Sequence, residues 1–232
     1  MKKLAQIFLS EKRGSYRSSG YEKRATFNST EYLDDVATSF GALKGFNDEY
    51  LAGNSAKELA ADCLCYILLL PVTGELVIQG VTESEIKLQI GQAFITNMAG
   101  GSSLNIINPY PDDAINFIQI QVNLVGASTN HFARVLTFDD RNYHHQFTCI
   151  NDEIDDMQLP FSLHIGRFAG REDSLFRLGR NFTACFCFVL GGAFEVENRL
   201  LQPRDGLSLT TTAEVEFESL SQDAVMLILE LN

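Results

Sequence analysis

The segment Cys63-Leu-Cys-Tyr-Ile-Leu68 returns in the second half of the chain as Cys185-Phe-Cys-Phe-Val-Leu190, and this echo decides how the chain is organised. Each copy runs into a glycine turn and a second strand-like stretch, Gly74-Glu-Leu-Val-Ile78 and Gly192-Ala-Phe-Glu-Val196. Each then meets a short loop with a glycine (Gly91; Asp205-Gly206) and another apolar run. Repetition of a whole supersecondary unit predicts two matching β units of about 100 residues each.

Working outward, Ile86-Lys87-Leu88-Gln89-Ile90 and Ile118 to Leu124 alternate apolar and polar residues, as does Ala213 to Ser219. A period of two puts one face of a strand in a core and the other in water. Gly53, Gly74, Gly91, Gly100-Gly101, Gly191-Gly192 and Gly206 punctuate these runs at the rhythm of an antiparallel sandwich or barrel. Only Ser55 to Asp62 and Phe138 to His145 offer a short helix. The expected division is an amino-terminal domain over 1–128, an acidic linker over 129–157 and a carboxy-terminal domain over 158–232. The linker carries Asp139-Asp140 and Asp152 to Asp156.

Composition narrows the function classes. The 232 residues include 18 Lys and Arg against 30 Asp and Glu, a net charge of −12, which repels phosphate backbones and anionic lipid. Nucleic acid and membrane are therefore not expected partners. Apolar residues make up 45% and charged residues 21%, enough for a folded core rather than a disordered chain. Leu4 to Leu9 is too short for a signal-peptide core, and the apolar run Cys63 to Val72 contains Pro71 and reads as a buried strand. Five cysteines, an odd number in apolar settings, suggest reduced thiols and a cytoplasmic protein.

Taken in order, the motifs resemble those of the cupins and, within them, the pirin family with its quercetin 2,3-dioxygenases. Phe40-Gly-Ala-Leu43 before Phe46-Asn-Asp-Glu49 resembles the pirin opening segment with its Asn-Asp-Asp turn. Leu70-Pro-Val-Thr-Gly-Glu-Leu76 matches the family's hairpin, Met98-Ala-Gly-Gly101 its Ala-Gly-x-Gly loop, and Phe117-Ile-Gln-Ile-Gln-Val122 its Leu-x-x-Gln-Ile-Trp strand. Arg204-Asp-Gly-Leu-Ser-Leu209 and Val225-Met-Leu-Ile-Leu-Glu-Leu231 resemble the carboxy-terminal cupin. The resemblance implies an all-β bicupin, two antiparallel jelly-roll barrels in one chain.

It also implies a cofactor, Fe or another first-row divalent metal, held by His-Pro-His and His-Ser-Glu in the first barrel. Counting from Asn47 places the first pair of ligands at Ala60 and Asp62. Counting from Ala99-Gly100 places the second pair at Asn105 and Ile107. No histidine precedes His131. Such sites rely on imidazole nitrogens plus a carboxylate, so the expectation is a degenerate site with no metal, no cofactor and no catalytic residue.

The remaining constellations read as structure. Cys63 with Cys65, and Cys185 with Cys187, share faces at strand spacing, but buried thiols usually act as small hydrophobes. His144-His145, near Asp139, Asp140 and Cys149, reads as a solvated connection, and His164 as a structural histidine. Gly100-Gly101-Ser102-Ser103 lacks the Gly-Lys-Ser/Thr ending of a phosphate loop. The expected protein is a non-catalytic binder of a small apolar ligand or of a protein partner, with an interaction or regulatory role, as a monomer or weak homodimer. Its pocket candidates are Ala60, Asp62, Tyr66, Phe94, Met98, Asn105 and Ile107. The alternative is a quercetinase-like oxygenase with substitute metal ligands.

Overall fold

The alternating runs form strands, as their β-branched and aromatic content favours. The computed structural model describes residues 4–28, 33, 37–124, 131–138, 145–152, 154 and 159–232. The chain divides into two compact units, residues 14–138 and residues 1–13 with 139–232. The described residues hold no α-helix, only a 3-10 turn at Ser10–Lys12.

In the unit of residues 14–138, one sheet has seven strands. Their spatial order is β12 (Ala133–Thr137), β9 (Gln92–Met98), β6 (Cys65–Thr73), β11 (Ile115–Asn123), β4 (Leu43–Leu51), β3 (Tyr21–Ala25) and β2 (Gly14–Ser18). The other sheet is β5 (Ala56–Ala60), β10 (Ser103–Ile107), β7 (Leu76–Gln79) and β8 (Ile86–Leu88). Leu51, Ile67, Leu69, Phe94, Leu104, Ile106 and Phe117 form the core between them.

The other unit repeats this plan. Its six-stranded sheet runs β1 (Leu4–Phe8), β19 (Gly206–Thr210), β16 (Ala184–Gly191), β21 (Ala224–Leu231), β14 (Phe161–Phe168) and β13 (Phe147–Cys149). Its four-stranded sheet runs β15 (Glu172–Arg177), β20 (Glu214–Ser219), β17 (Phe194–Val196) and β18 (Arg199–Leu201). The order β12-β9-β6-β11-β4-β3 corresponds strand for strand to β1-β19-β16-β21-β14-β13. All the strand pairs are antiparallel, and the fold is the all-β bicupin expected.

Matching hairpins anchor the correspondence. Gly74 and Gly192 adopt φ of +76° and +73°, and a Cβ there would meet Ile115 Cγ2 at 2.4 Å or Ala224 Cβ at 2.6 Å. Only glycine tolerates both the left-handed backbone and the close approach. Counted from these turns, Cys65 lies nine residues back and Cys187 five. Cys65 and Cys187 therefore lie on equivalent strands and the same face but sit four residues apart. Ile67 and Leu69 are the structural counterparts of Cys185 and Cys187.

Several boundary readings change. Leu4–Phe8 pairs with β19 and belongs with residues 139–232 rather than with 14–138. The segment read as a linker contributes β12 to one sheet and β13 to the other. Ser55 to Asp62 contains strand β5 instead of a helix, because its hydrogen bonds go to β10. The second short-helix candidate lies largely outside the described residues.

Candidate functional site

Along β11, residues 115, 117, 119 and 121 share the inward face, and their chemistry changes midway. Ile115 and Phe117 enter the core, whereas Gln119 and Gln121 line a cavity of about 450 Å³. On the neighbouring β4, Leu51 enters the core while Glu49, Asn47 and Gly45 line the cavity. Strands β3 and β2 add Tyr21, Lys23 and Tyr16, and β5 adds Lys57. Ala60, Asp62 and Cys63 line it from exposed positions. One end of the barrel interior is thus apolar and closed, and the other is polar and open.

The polar end is organised around Glu49, whose side chain is fully buried. Its Oε2 accepts a 2.6 Å hydrogen bond from Lys57 Nζ, which also donates to Tyr21 Oη at 2.6 Å. Glu49 Oε1 has no hydrogen-bond partner among the described residues. A buried carboxylate oxygen left unpaired carries a desolvation cost, so such atoms in a folded protein usually mark a position that another group completes. On the same wall the Asn47 amide donates to Gln119 Oε1. Lys23 Nζ lies 6.0 Å from the Tyr16 ring centroid.

The corresponding place in the other barrel is filled. Leu70 and Phe188 each precede their hairpin glycine by four residues, and they pair with Ile118 and Leu227. Those residues pair in turn with Asp48 and Ile165, so Gly166 is the counterpart of Glu49. A Cβ on Gly166 would meet Phe168 at 2.6 Å and Phe147 at 2.9 Å. Phe147 packs on Phe168 and Phe176 with centroids 5.2 and 5.1 Å apart, and Phe168 on Phe217 at 4.9 Å. His164 Nε2 is 2.8 Å from the buried Glu230 carboxylate, whose other oxygen accepts from Gly179 N–H at 2.7 Å. Both carboxylate oxygens are satisfied, and aromatic rings occupy the interior.

The sequence-derived pocket candidates divide sharply. Ala60 and Asp62 line the cavity. Phe94 and Met98 are packed in the apolar core, and Tyr66 is buried on the opposite face of β6, its ring 5.9 Å from that of Phe132. Asn105 is exposed on the outward face of β10 and Ile107 lies half-buried on that face. The inward residues of β10 are Leu104 and Ile106, one residue away from the counted positions. The expected apolar pocket is corrected to a polar one, because the open end is walled by β4, β11, β3 and β5 rather than by β9 and β10. Asn47-Asp48-Glu49, read as a turn, lies inside β4. That misreading hid Glu49, while Lys57 was hidden by the helix reading of its segment. Polar residues at alternate positions, Asn47 and Glu49 on β4 and Gln119 and Gln121 on β11, are the signal that could have found Glu49.

A first-row metal does not fit the residues at the positions counted from the sequence motifs. Ala60 has no donor, Asp62 is exposed in the loop between β5 and β6, Asn105 is exposed on β10, and the inward side chains of β10 are hydrocarbon. Among the described residues no group of three or more His, Cys, Asp and Glu is placed to hold an ion. His144 and Asp139-Asp140 lie outside the described residues; His145 Nδ1 is 2.7 Å from Glu172 Oε2 at an exposed site.

The thiols differ in environment. Cys63 is exposed, against the expectation that it shares a buried face with Cys65. Burial pushes the Cys65 thiol up to about 12, helped by the neighbouring Cys63 and Asp62. The Cys187 hydrogen bond and then burial push Cys185 well above the ordinary thiol range. Burial also raises Cys149, which contacts Ser162 Oγ at 3.1 Å.

No protein-family model and no curated protein matches the chain. Among solved structures, YhhW from Escherichia coli is similar with a TM-score of 0.85 at 17% identity, covering 99% of this chain and 98% of that one. The bacterial pirin YhhW in complex with nickel(II), from the same organism, gives 0.84 at 16% identity over 98% and 99%. A quercetin 2,3-dioxygenase from Acinetobacter baumannii gives 0.72 at 15% identity over 98% and 79%. The chain therefore has the bicupin fold of pirin and quercetin dioxygenase. No helix of the described residues is long and apolar enough to cross a membrane.

Proposed function

We propose that this pirin-like bicupin is a metal-independent, non-catalytic binding protein whose ligand occupies the polar cavity of residues 14–138. The observation that carries this reading is the fully buried Glu49 lining that cavity, with one carboxylate oxygen held by Lys57 and the other unpaired. Fold alone does not assign activity, since unrelated chemistries share a scaffold. The chemistry that a nickel-bound pirin or a quercetin dioxygenase suggests requires imidazole and carboxylate donors, and the inward side chains of β10, the strand onto which the second ligand pair is counted, are Leu104 and Ile106, which supports this reading. A cavity near 450 Å³ with a few converging polar groups has the size and character of a small-molecule site.

The test is a thermal-shift screen of a metabolite library against protein held in chelator, with oxygen uptake followed separately on quercetin. Binding of a ligand to the folded state alone raises the melting temperature by mass action. A saturable stabilisation in chelator, without oxygen consumption, is expected. Stabilisation that requires added divalent metal, or oxygen uptake with quercetin, would overturn the reading.

A further inference from the structure

We propose that the ligand is a neutral saccharide, recognised through its hydroxyl groups by Glu49 and the polar wall around it; the inference rests on the binding reading above and names its ligand class. The unpaired Glu49 Oε1 needs an N–H or O–H donor. The Lys57 ammonium is already engaged, donating at 2.6 Å to the other oxygen of the same carboxylate and to Tyr21 Oη, and so holds the carboxylate in place. A hydroxyl group meets this need, since it can donate to the carboxylate and still accept from a neighbouring donor. Lining charges are balanced, with Lys23, Lys44 and Lys57 against Glu49, Glu58 and Asp62, which favours a neutral guest over an anion or cation.

The rest of the wall supports the same class. Asn47, Gln119 and Gln121 supply carboxamides, which present donor and acceptor together. Tyr16 and Tyr21, their centroids 6.1 Å apart, flank the polar wall with apolar ring surface suited to the C–H face of a sugar ring. The aromatic filling around Gly166 in the other barrel provides none of these groups, so one site per chain is expected.

The experiment titrates D-glucose, D-galactose, D-mannose and L-arabinose into the intact chain, following ¹H–¹³C spectra of the tyrosine rings. Glycine and quercetin serve as zwitterionic and aromatic comparators. The variants are Glu49→Gln, which exchanges the acceptor, and Gln121→Leu, which leaves the Glu49–Lys57 pair intact and keeps the test valid if the first variant folds poorly. At least one sugar is expected to bind once per chain, shifting Tyr16 and Tyr21, with affinity falling about tenfold or more in each variant. Sugar binding unchanged in both variants would overturn the proposal. Binding of glycine or quercetin alone at these tyrosines would remove the saccharide class and leave the cavity reading standing. No shift with any probe would remove both.

Discussion

At the scale of single residues, the Glu49–Lys57 pair decides what the open barrel end can do. Glu49 is fully buried, whereas the Lys57 side chain retains 15% exposure and can reach water. Removing Lys57 strands a charge with no escape, so Lys57→Ala is expected to cost about 3–5 kcal/mol. Glu49→Gln should cost less, because Lys57 can reorient. Urea denaturation measures both, and a Lys57→Ala variant within about 1 kcal/mol of the parent would contradict this ordering. The thiols give a second residue-scale test. Cys63 is exposed, so an aromatic disulfide reagent should label it first, with half-buried Cys149 following slowly. Cys65, Cys185 and Cys187 are buried and should stay unmodified until the protein unfolds, and burial further withholds the thiolate of Cys65 and Cys185. Three fast-reacting thiols in native protein would refute the core placement of those strands. The sequence pattern misplaced Cys63 because it continued the strand period two residues beyond where β6 begins.

At the scale of elements, the least local feature is β1, whose partner β19 lies at the other end of the chain. Asp205, buried at the start of β19, accepts from Ser10 N–H at 2.7 Å and from Gln202 N–H at 2.9 Å. Asp205→Ala leaves both donors without that acceptor and is expected to cost about 1–3 kcal/mol. Amide exchange should accelerate in β1 and leave β6 unchanged; equal acceleration in both would mean that β1 is not held locally. Strand identity was legible wherever the period was clear, as in β8, β11 and β20, because alternation reports which face is buried. The pairing of Leu4–Phe8 was not, since five residues carry no local mark of a distant partner. The β5 segment was misread for a related reason: Lys57-Glu-Leu-Ala-Ala61 has good helix formers, and pairing with β10 overrides that weak preference.

At the scale of the whole molecule, one topology appears twice with opposite interiors. Phe147 and Phe168 surround Gly166 with phenylalanine rings, while residues 14–138 place Glu49 at the matching position and keep a cavity. The repeat that revealed two barrels was plain in the sequence. Their different filling was not, because it depends on which side chains from four strands converge, and counting along one motif misframed β10 by a residue. Replacing Gly166 by Ala should destabilise by about 1–3 kcal/mol through overpacking against Phe168 and Phe147, read as a lower urea midpoint. On the proposed reading the open barrel works without a transition metal. Calorimetric titration of Ni(II) and Fe(II) into chelator-stripped protein tests it most directly. No saturable one-to-one binding is expected; a tight one-to-one isotherm abolished by substitution of Asp62 would overturn the metal-independent reading.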